Sequence, residues 1–563
     1  MTTALHDAAS RKARGAFFTP APIAEFIAAW AVRAADDVVL DPSCGDAAFL
    51  IPGAARLREH GSTTPVVEGV EIDGPSASLA QERVERAGAT AVIRVGDFFG
   101  VAAERRYDAI IGNPPYIRYQ GFKGQARAAA RQAALRGGVA LTALASSWAP
   151  FVVHAAQFLR PGGRLGFVLP AELLSVNYAG PVRRFLFQNF GRIELILFER
   201  QIFPDAEADT LILLAEDFGG EASSATIRQV ASAAELAALE PRARQPGAVA
   251  DGRYAPPVRL DWRPADPAEK WTDALVEPVA STALSSLARS GRFARLDSWG
   301  PPKLGAVTGN NRYFTMSPSR ARELGLGERD LVRISPAGSA HLRGLELSRT
   351  DLTALGRDGG NTWLFRPAEP LSQAAAKYVA AGRKTGVDEA YKCRVRTPWY
   401  RVPLLEVPDL FLTCMNADTP RLTTNGAGVY HLNSVHGVYL REGERALGRE
   451  LLPLASLNSA TMLSAEVTGR SYGGGILKLE PGEAARWLVP SSGFVAARAG
   501  ALRAVREDVA GALHAGELEA AVALVDEALL VDSGAMDAEG FSSLRQAWEK
   551  LAERRARRGR KSG

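Results

Sequence analysis

A chain of 563 residues, 47% hydrophobic and 23% charged, has the composition of a folded globular protein, and it is longer than one hydrophobic core usually supports, so two or three domains are expected. Its formal net charge of +5 and isoelectric point near 9.1 are compatible with a nucleic-acid partner without demanding one. Cys44, Cys393 and Cys414 form no C-x-x-C pair, which argues against a zinc ribbon or disulfide framework and for a reducing, cytoplasmic setting; no apolar run reaches membrane-spanning length, and no signal peptide is apparent.

From Asp37 to about Asp217, short apolar runs alternate with amphipathic stretches. "DVVLD" predicts a strand and "AAFLIPGAARLREH" a helix; "VVEGVEID" predicts a second strand and "GPSASLAQERVERAG" a helix ended by Gly88. "AVIRVGDFF" and "YDAIIGN" predict two more strands. A long helix is expected over "ALTALASSWAPFVVHAAQFLRPGG", stopped by its Pro-Gly-Gly, and "RLGFVLP", "RIELILFE" and "TLILLAED" complete the strand set. Strands separated by helices in this way imply an α/β fold, a parallel, doubly wound, Rossmann-like sheet.

The texture then changes. Residues 221–255, rich in Ala, Gly, Pro and Ser, suggest a linker after a first domain over 1–220. Residues 256–495 are turn-rich with short β-like runs, as in a mixed α/β domain, and 496–563 are expected to be a helical segment with a basic tail. The tail "ERRARRGRKSG" suits either a phosphate-binding arm or a solvated helix end.

Ligands of open parallel sheets bind beyond the C-terminal strand ends, so those ends can be taken in order. The first offers Asp41 and a turn through Pro42, Cys44 and Gly45, where a carboxylate can hold an ammonium group and backbone N–H groups can approach a ligand. The second ends in Glu71, Ile72 and Asp73, an acid commonly used for ribose hydroxyls. The third ends in Asp97, able to accept from an exocyclic amine, and Phe98, placed to pack on a base. The fourth runs into Asn113, Pro114, Pro115 and Tyr116, a stiff corner that cannot continue a ladder. No phosphate-binding P-loop and no G-x-G-x-x-G is present, which favours a nucleoside carrying an amino acid over a phosphorylated one.

The series "GAFFTPAPIAEFI", "DPSCGDAAFL", "VEGVEID", "VGDFF" and "IIGNPPYIR" resembles the γ class of DNA adenine-N6 methyltransferases, the TaqI type, over roughly the first 220 residues. The resemblance implies S-adenosylmethionine as cofactor, with Thr19 contacting its methionine end, Asp41 the ammonium, Glu71 the ribose, and Asp97 with Phe98 the adenine ring. It implies a flipped adenine in double-stranded DNA as substrate, stacked on Tyr116 and on Phe203, with the amine held by Asn113 and Pro114. One departure stands out: Ala47 occupies a position where that family often has a second glycine.

An Asn-Pro-Pro-Tyr corner also resembles that of RNA-base and protein-glutamine methyltransferases, which act on the same kind of conjugated nitrogen. The long second half favours a large substrate read by a dedicated domain, with DNA expected in a basic cleft between the halves. Within it, "KCRVRTPWYRVP" interleaves Lys392, Arg394, Arg396 and Arg401 with Trp399 and Tyr400, a candidate DNA contact read as a strand pair. No ligand cluster implies a metal. A restriction endonuclease acting on the same site is a possible partner.

Overall fold

The computed structural model describes residues 19–198, 210–239, 258–264, 266–472 and 474–559. The chain divides into two compact units, the first running to Leu275 and the second from Val276 to Gly559.

The first unit is built on one sheet. Its strands are β1 Val39–Asp41, β2 Val66–Glu71, β3 Thr90–Val95, β4 Tyr107–Gly112, β5 Leu159–Pro170, β6 Phe190–Phe198, β7 Thr210–Phe218, β8 Ala225–Val230 and β9 Val258–Trp262. Their order is β3-β2-β1-β4-β5-β7-β6-β8-β9. Strands β1 to β5 pair in parallel, whereas β7 runs antiparallel between β5 and β6. Successive side chains of a strand point to opposite faces, and here both faces are covered. Ala109 and Ile111 of β4 pack with Ile27 of helix α1 (Ala21–Ala31), Leu57 of α2 (Leu50–Glu59) and Val84 of α3 (Gly74–Arg86). Ile110 faces the other way, into a core shared with Ala133 of α4 (Gly124–Arg136), Phe151 of α5 (Trp148–Ala156) and Leu186 of α6 (Gly180–Asn189). This is a doubly wound sheet, and the continuous apolar runs of its central strands follow from burial on both sides.

Two expectations need correction. The long helix over "ALTALASSWAPFVVHAAQFLRPGG" is only α5, and the Pro-Gly-Gly lies inside β5. The β4–β5 register jumps from Tyr107↔Leu159 to Ala109↔Arg164, so residues 160–163 bulge. A proline without an N–H and Gly162 at φ +78° suit such an unpaired bulge. The segment taken as a linker contributes β8, whose Ala225, Ile227 and Val230 are buried, and β9 continues the sheet beyond it. Trp271 packs edge-on to Phe187 at 5.5 Å, so the first unit extends to residue 275 rather than ending near 220.

The second unit is mixed α/β. Its largest sheet orders Pro302–Leu304, Val435–Val438, Leu410–Thr413 and Leu422–Thr424, all antiparallel. The closing helix Ala538–Gly559 packs on Pro278–Arg289 and Ser459–Thr468 of the same unit. Its Arg555 is buried and pairs with Glu466 at 2.7 Å, so this part of the basic tail is committed to packing; residues 560–563 lie outside the described residues.

The segment "KCRVRTPWYRVP" is not a strand pair but a short helical turn, Tyr391–Arg394, followed by irregular chain. Trp399 is buried in an apolar cluster with Phe314 and Phe365, and Arg396 donates to the Thr308 carbonyl at 2.8 Å. Trp399 does not face solvent in the way a DNA contact would require, and Arg396 is half-buried. Lys392, Arg394 and Arg401 are exposed, and the Tyr400 hydroxyl donates to Glu369 at 3.3 Å. No helix among the described residues is long and apolar enough to cross a membrane.

Candidate active site

The loop after β1 is the first wall of the site. Asp41 is 1% exposed and accepts from the Ser43 backbone N–H at 3.0 Å. Burial, with Glu71 and Asp46 nearby, pushes its carboxyl up to about 8. Its side chain lies against Gly112 at the end of β4, where a Cβ would come within 2.7 Å of Oδ1. The loop turns through Cys44, whose N–H donates to the Val70 carbonyl at 3.0 Å and whose buried thiol is pushed far up by desolvation. Gly45 follows at φ +51° and Ala47 at φ +74°. The departure at Ala47 therefore keeps the left-handed backbone that a glycine would adopt freely. Ala47 is fully buried, and Ile51 donates to its carbonyl at 3.2 Å at the start of α2.

Glu71, at the end of β2, ties two loops together. Its Oε2 accepts from Gly45 N–H and its Oε1 from Asp73 N–H, both at 2.9 Å. Each carboxylate oxygen keeps further acceptor capacity for a ligand hydroxyl. Asp73 caps α3 by accepting from Ser76 N–H at 3.1 Å, so it serves the helix. Ile72 between them is 64% exposed, an apolar side chain left in solvent beside the acid. At the end of β3, Asp97 is exposed and accepts from Phe99 N–H at 3.0 Å. Phe98 departs from expectation: its ring is 3% exposed and packs on His154 at 4.7 Å and Phe151 at 5.0 Å. Packing on a base is not what this ring does, because a core of three aromatic rings has taken it; Ile72 and Val95 are the large apolar side chains exposed at these two strand ends.

The corner after β4 is the second wall. Asn113 Nδ2 donates to Thr19 Oγ1 at 3.2 Å, which brings the first and last motifs of the unit together. Its Oδ1 is buried and has no hydrogen-bond partner among the described residues. A buried amide oxygen without a donor is costly, so this atom is an acceptor that a ligand donor at the strand end would satisfy. Tyr116 donates its hydroxyl to the Val168 carbonyl of β5 at 2.9 Å, and burial keeps the phenol far from ionising. Ser147 completes the corner. Its hydroxyl donates to the Pro115 carbonyl and accepts from Ile117 N–H at 2.8 Å, so it brackets Tyr116 from both sides. The sequence pattern puts Ser147 inside a longer helix; here it sits one residue before α5, is 1% exposed, and makes no cap bond. Phe203 lies outside the described residues.

Does this site fit a nucleoside bearing an amino acid and a positive charge? A carboxyl raised by burial, and further by its acidic neighbours, is held ionised by a cation, and an exposed isoleucine offers an apolar face. The residues fit.

Two family models match the chain. "N-6 DNA Methylase" covers residues 4–218, and "Type II methyltransferase M.Eco57I, C-terminal domain" covers residues 268–530. Among similar proteins, type II methyltransferase M.XamI of Xanthomonas campestris pv. amaranthicola is 25% identical over 85% of both chains. Type II methyltransferase M.AccI of Acinetobacter calcoaceticus is 22% identical, over 86% of this chain and 87% of its own. The solved structure of the type IIL restriction–modification enzyme MmeI in complex with DNA shares the fold, with a TM-score of 0.57 at 12% identity over 95% of this chain and 75% of that one.

Over residues 4–218 the chain thus matches the N-6 DNA methylases, a family that uses S-adenosylmethionine. It is a site-specific adenine-N6 DNA methyltransferase of the type II kind, with a second unit of the M.Eco57I C-terminal type. The RNA-base and protein-glutamine alternatives give way to that finding.

Proposed function

We propose that the chain methylates the 6-amino nitrogen of an adenine turned out of double-stranded DNA, that S-adenosylmethionine is held at the ends of β1 to β4, and that the enzyme is of the γ class. A restriction endonuclease of the same specificity is the counterpart we expect in a type II system. The observation that carries the reading is Asn113 Oδ1, a buried carbonyl oxygen with no partner among the described residues at the end of a core strand.

The lone pair of an adenine 6-amino group is delocalised into its ring, so the nitrogen is a poor nucleophile. Two acceptors aimed at its hydrogens turn that lone pair toward an electrophile. Asn113 Oδ1 supplies one acceptor and the Pro114 carbonyl the other, both on backbone stiffened by consecutive prolines. When bound, the cofactor supplies a methyl carbon made electrophilic by a sulfonium. Asp41 would hold its ammonium group and Glu71 its ribose hydroxyls. Asp97 would accept from its adenine amine, with Ile72 against the ring, and Thr19, Pro42, Cys44 and Gly45 would line the remainder. Tyr116 would stack on the target base, joined by Phe203. Catalysis of this kind is positioning and preorganised dipoles, with no shifted general base.

The test compares DNA from cells expressing wild type and Asn113→Ala, digested and measured by mass spectrometry. N6-methyladenine should appear with wild type and fall by at least about 100-fold in the variant, the usual effect of losing one preorganised polar partner. Equal levels in both would overturn the assignment of Asn113.

A further inference from the structure

The second unit carries an exposed apolar tip on a rigid base. Tyr391 is 65% exposed and Val395 64%, and they stand one helical turn apart, on the same side of the segment. Lys392 Nζ lies 5.5 Å from the centre of the Tyr391 ring. Arg394 in the same turn is exposed, as are Arg383, Lys384 and Arg401 close by in the chain, with Asp388 and Glu389 on the preceding turn.

The base of this tip is fixed at several points. Cys393 is fully buried with its thiol 3.8 Å from the Thr308 carbonyl. Arg396 holds the Val307 and Thr308 carbonyls, and Trp399 packs on Tyr313 at 5.6 Å. Gly309 has no side chain where the turn crosses it; a Cβ there would lie 2.9 Å from that of Lys392. The exposure of Tyr391 and Val395 therefore belongs to an ordered turn and not to a loose loop.

An exposed apolar tip carrying Lys392 and Arg394 in the same turn matches one kind of surface well. Duplex DNA presents phosphates at a base step and, when that step opens, flat apolar base faces between them. We propose that the Tyr391–Val395 turn inserts into duplex DNA, with Tyr391 and Val395 against base faces and Lys392 and Arg394 on the flanking phosphates. The inference rests on DNA as substrate and adds the element that opens or fills a base step. It moves the aromatic contact from Trp399, which is buried, to Tyr391.

The test is equilibrium binding of the full chain to linear plasmid fragments at several salt concentrations. Tyr391→Ala should weaken binding about ten-fold with an unchanged salt slope, because it removes stacking and no charge. Tyr391→Phe should restore it, since the ring face and not the hydroxyl is used. The double substitution Lys392→Ala with Arg394→Ala should flatten the slope of log K against log salt by about 2, near one unit per phosphate released. Tyr391→Ala binding within two-fold of wild type would overturn the proposal and leave the tip to a protein partner. An unchanged salt slope in the double variant would overturn it equally. Thermal melting of Tyr391→Ala should match wild type, as its exposure predicts. Loss of N6-methyladenine formation by wild type itself would sink the catalytic reading while leaving these binding results standing.

Discussion

The loop after β1 and the corner after β4 meet at the same edge of the sheet, yet they are held in opposite ways. The loop stores unfavourable terms: a buried acid raised to about 8 with Glu71 and Asp46 nearby, and an alanine at φ +74°. The corner stores almost none. Thr19, Ser147 and Val168 each hold part of it, and one oxygen of Asn113 is left over. A site that must attract a cation gains from excess negative charge that the ligand relieves. A site that must aim a weak nucleophile gains from a frame that does not move.

After Asn113→Ala in the corner, the next largest expected effect falls on the loop. Asp41→Asn should weaken S-adenosylmethionine binding by about 10- to 100-fold, the loss of a buried ammonium–carboxylate contact. The same substitution should stabilise the ligand-free protein. The carboxyl titrates near 8 when folded and at about 3.9 when unfolded. Between those values the folded chain keeps a proton that the unfolded chain has lost, so its stability falls as pH rises through that window. Asn carries no such penalty, so the variant should exceed wild type by roughly 1–3 kcal/mol near pH 8, with the gap closing toward pH 4. Cofactor affinity of wild type should rise with pH until about 8, where the carboxyl of the ligand-free protein gives up its proton, and the rise should be lost in the variant. Calorimetry and thermal melts across pH separate these outcomes. A wild-type binding curve independent of pH would break the contrast with the corner.

Next in size is Ser147→Ala. Removing a hydroxyl that brackets Tyr116 frees the corner without touching the cofactor loop, so kcat should fall about ten-fold while cofactor affinity stays within two-fold. Ser147→Thr, which keeps the hydroxyl, should recover part of the loss. A matched fall in kcat and cofactor affinity would show that the two walls are not separately held.

Much of this contrast was legible in the residues. Asp41, Glu71, Asp97 and Asn113 each announced themselves as polar side chains at the ends of apolar strands, and the structure places each of them there. What the sequence concealed depends on partners distant in the chain. Phe98 looked free for a base because nothing local revealed the rings of Phe151 and His154, which arrive from α5. Ser147 fell inside the long helix expected there, and its partners lie about thirty residues earlier. Pro-Gly-Gly at 161–163 is a helix stop by local rules, yet sheet pairing overrode it with a bulge. Strand β8 hid in a stretch whose composition pointed to a linker, and β9 just beyond it, because strands of five or six residues carry little periodic signal.

The smallest effect tests the loop's backbone alone. Ala47 pays for a left-handed φ with a Cβ that crowds the following carbonyl, a cost of roughly 1–2 kcal/mol. Glycine removes that cost but loses more entropy on folding, about 0.5–1 kcal/mol. Ala47→Gly should therefore stabilise the chain by about 0.5–1 kcal/mol, a shift of a few degrees in the melting midpoint. Because the backbone of the turn is already that of a glycine, cofactor affinity should change less than two-fold. A large gain in affinity would mean that the Ala47 side chain constrains the loop in which Asp41 and Gly45 sit, and that this wall, like the corner, is limited by position and not by charge.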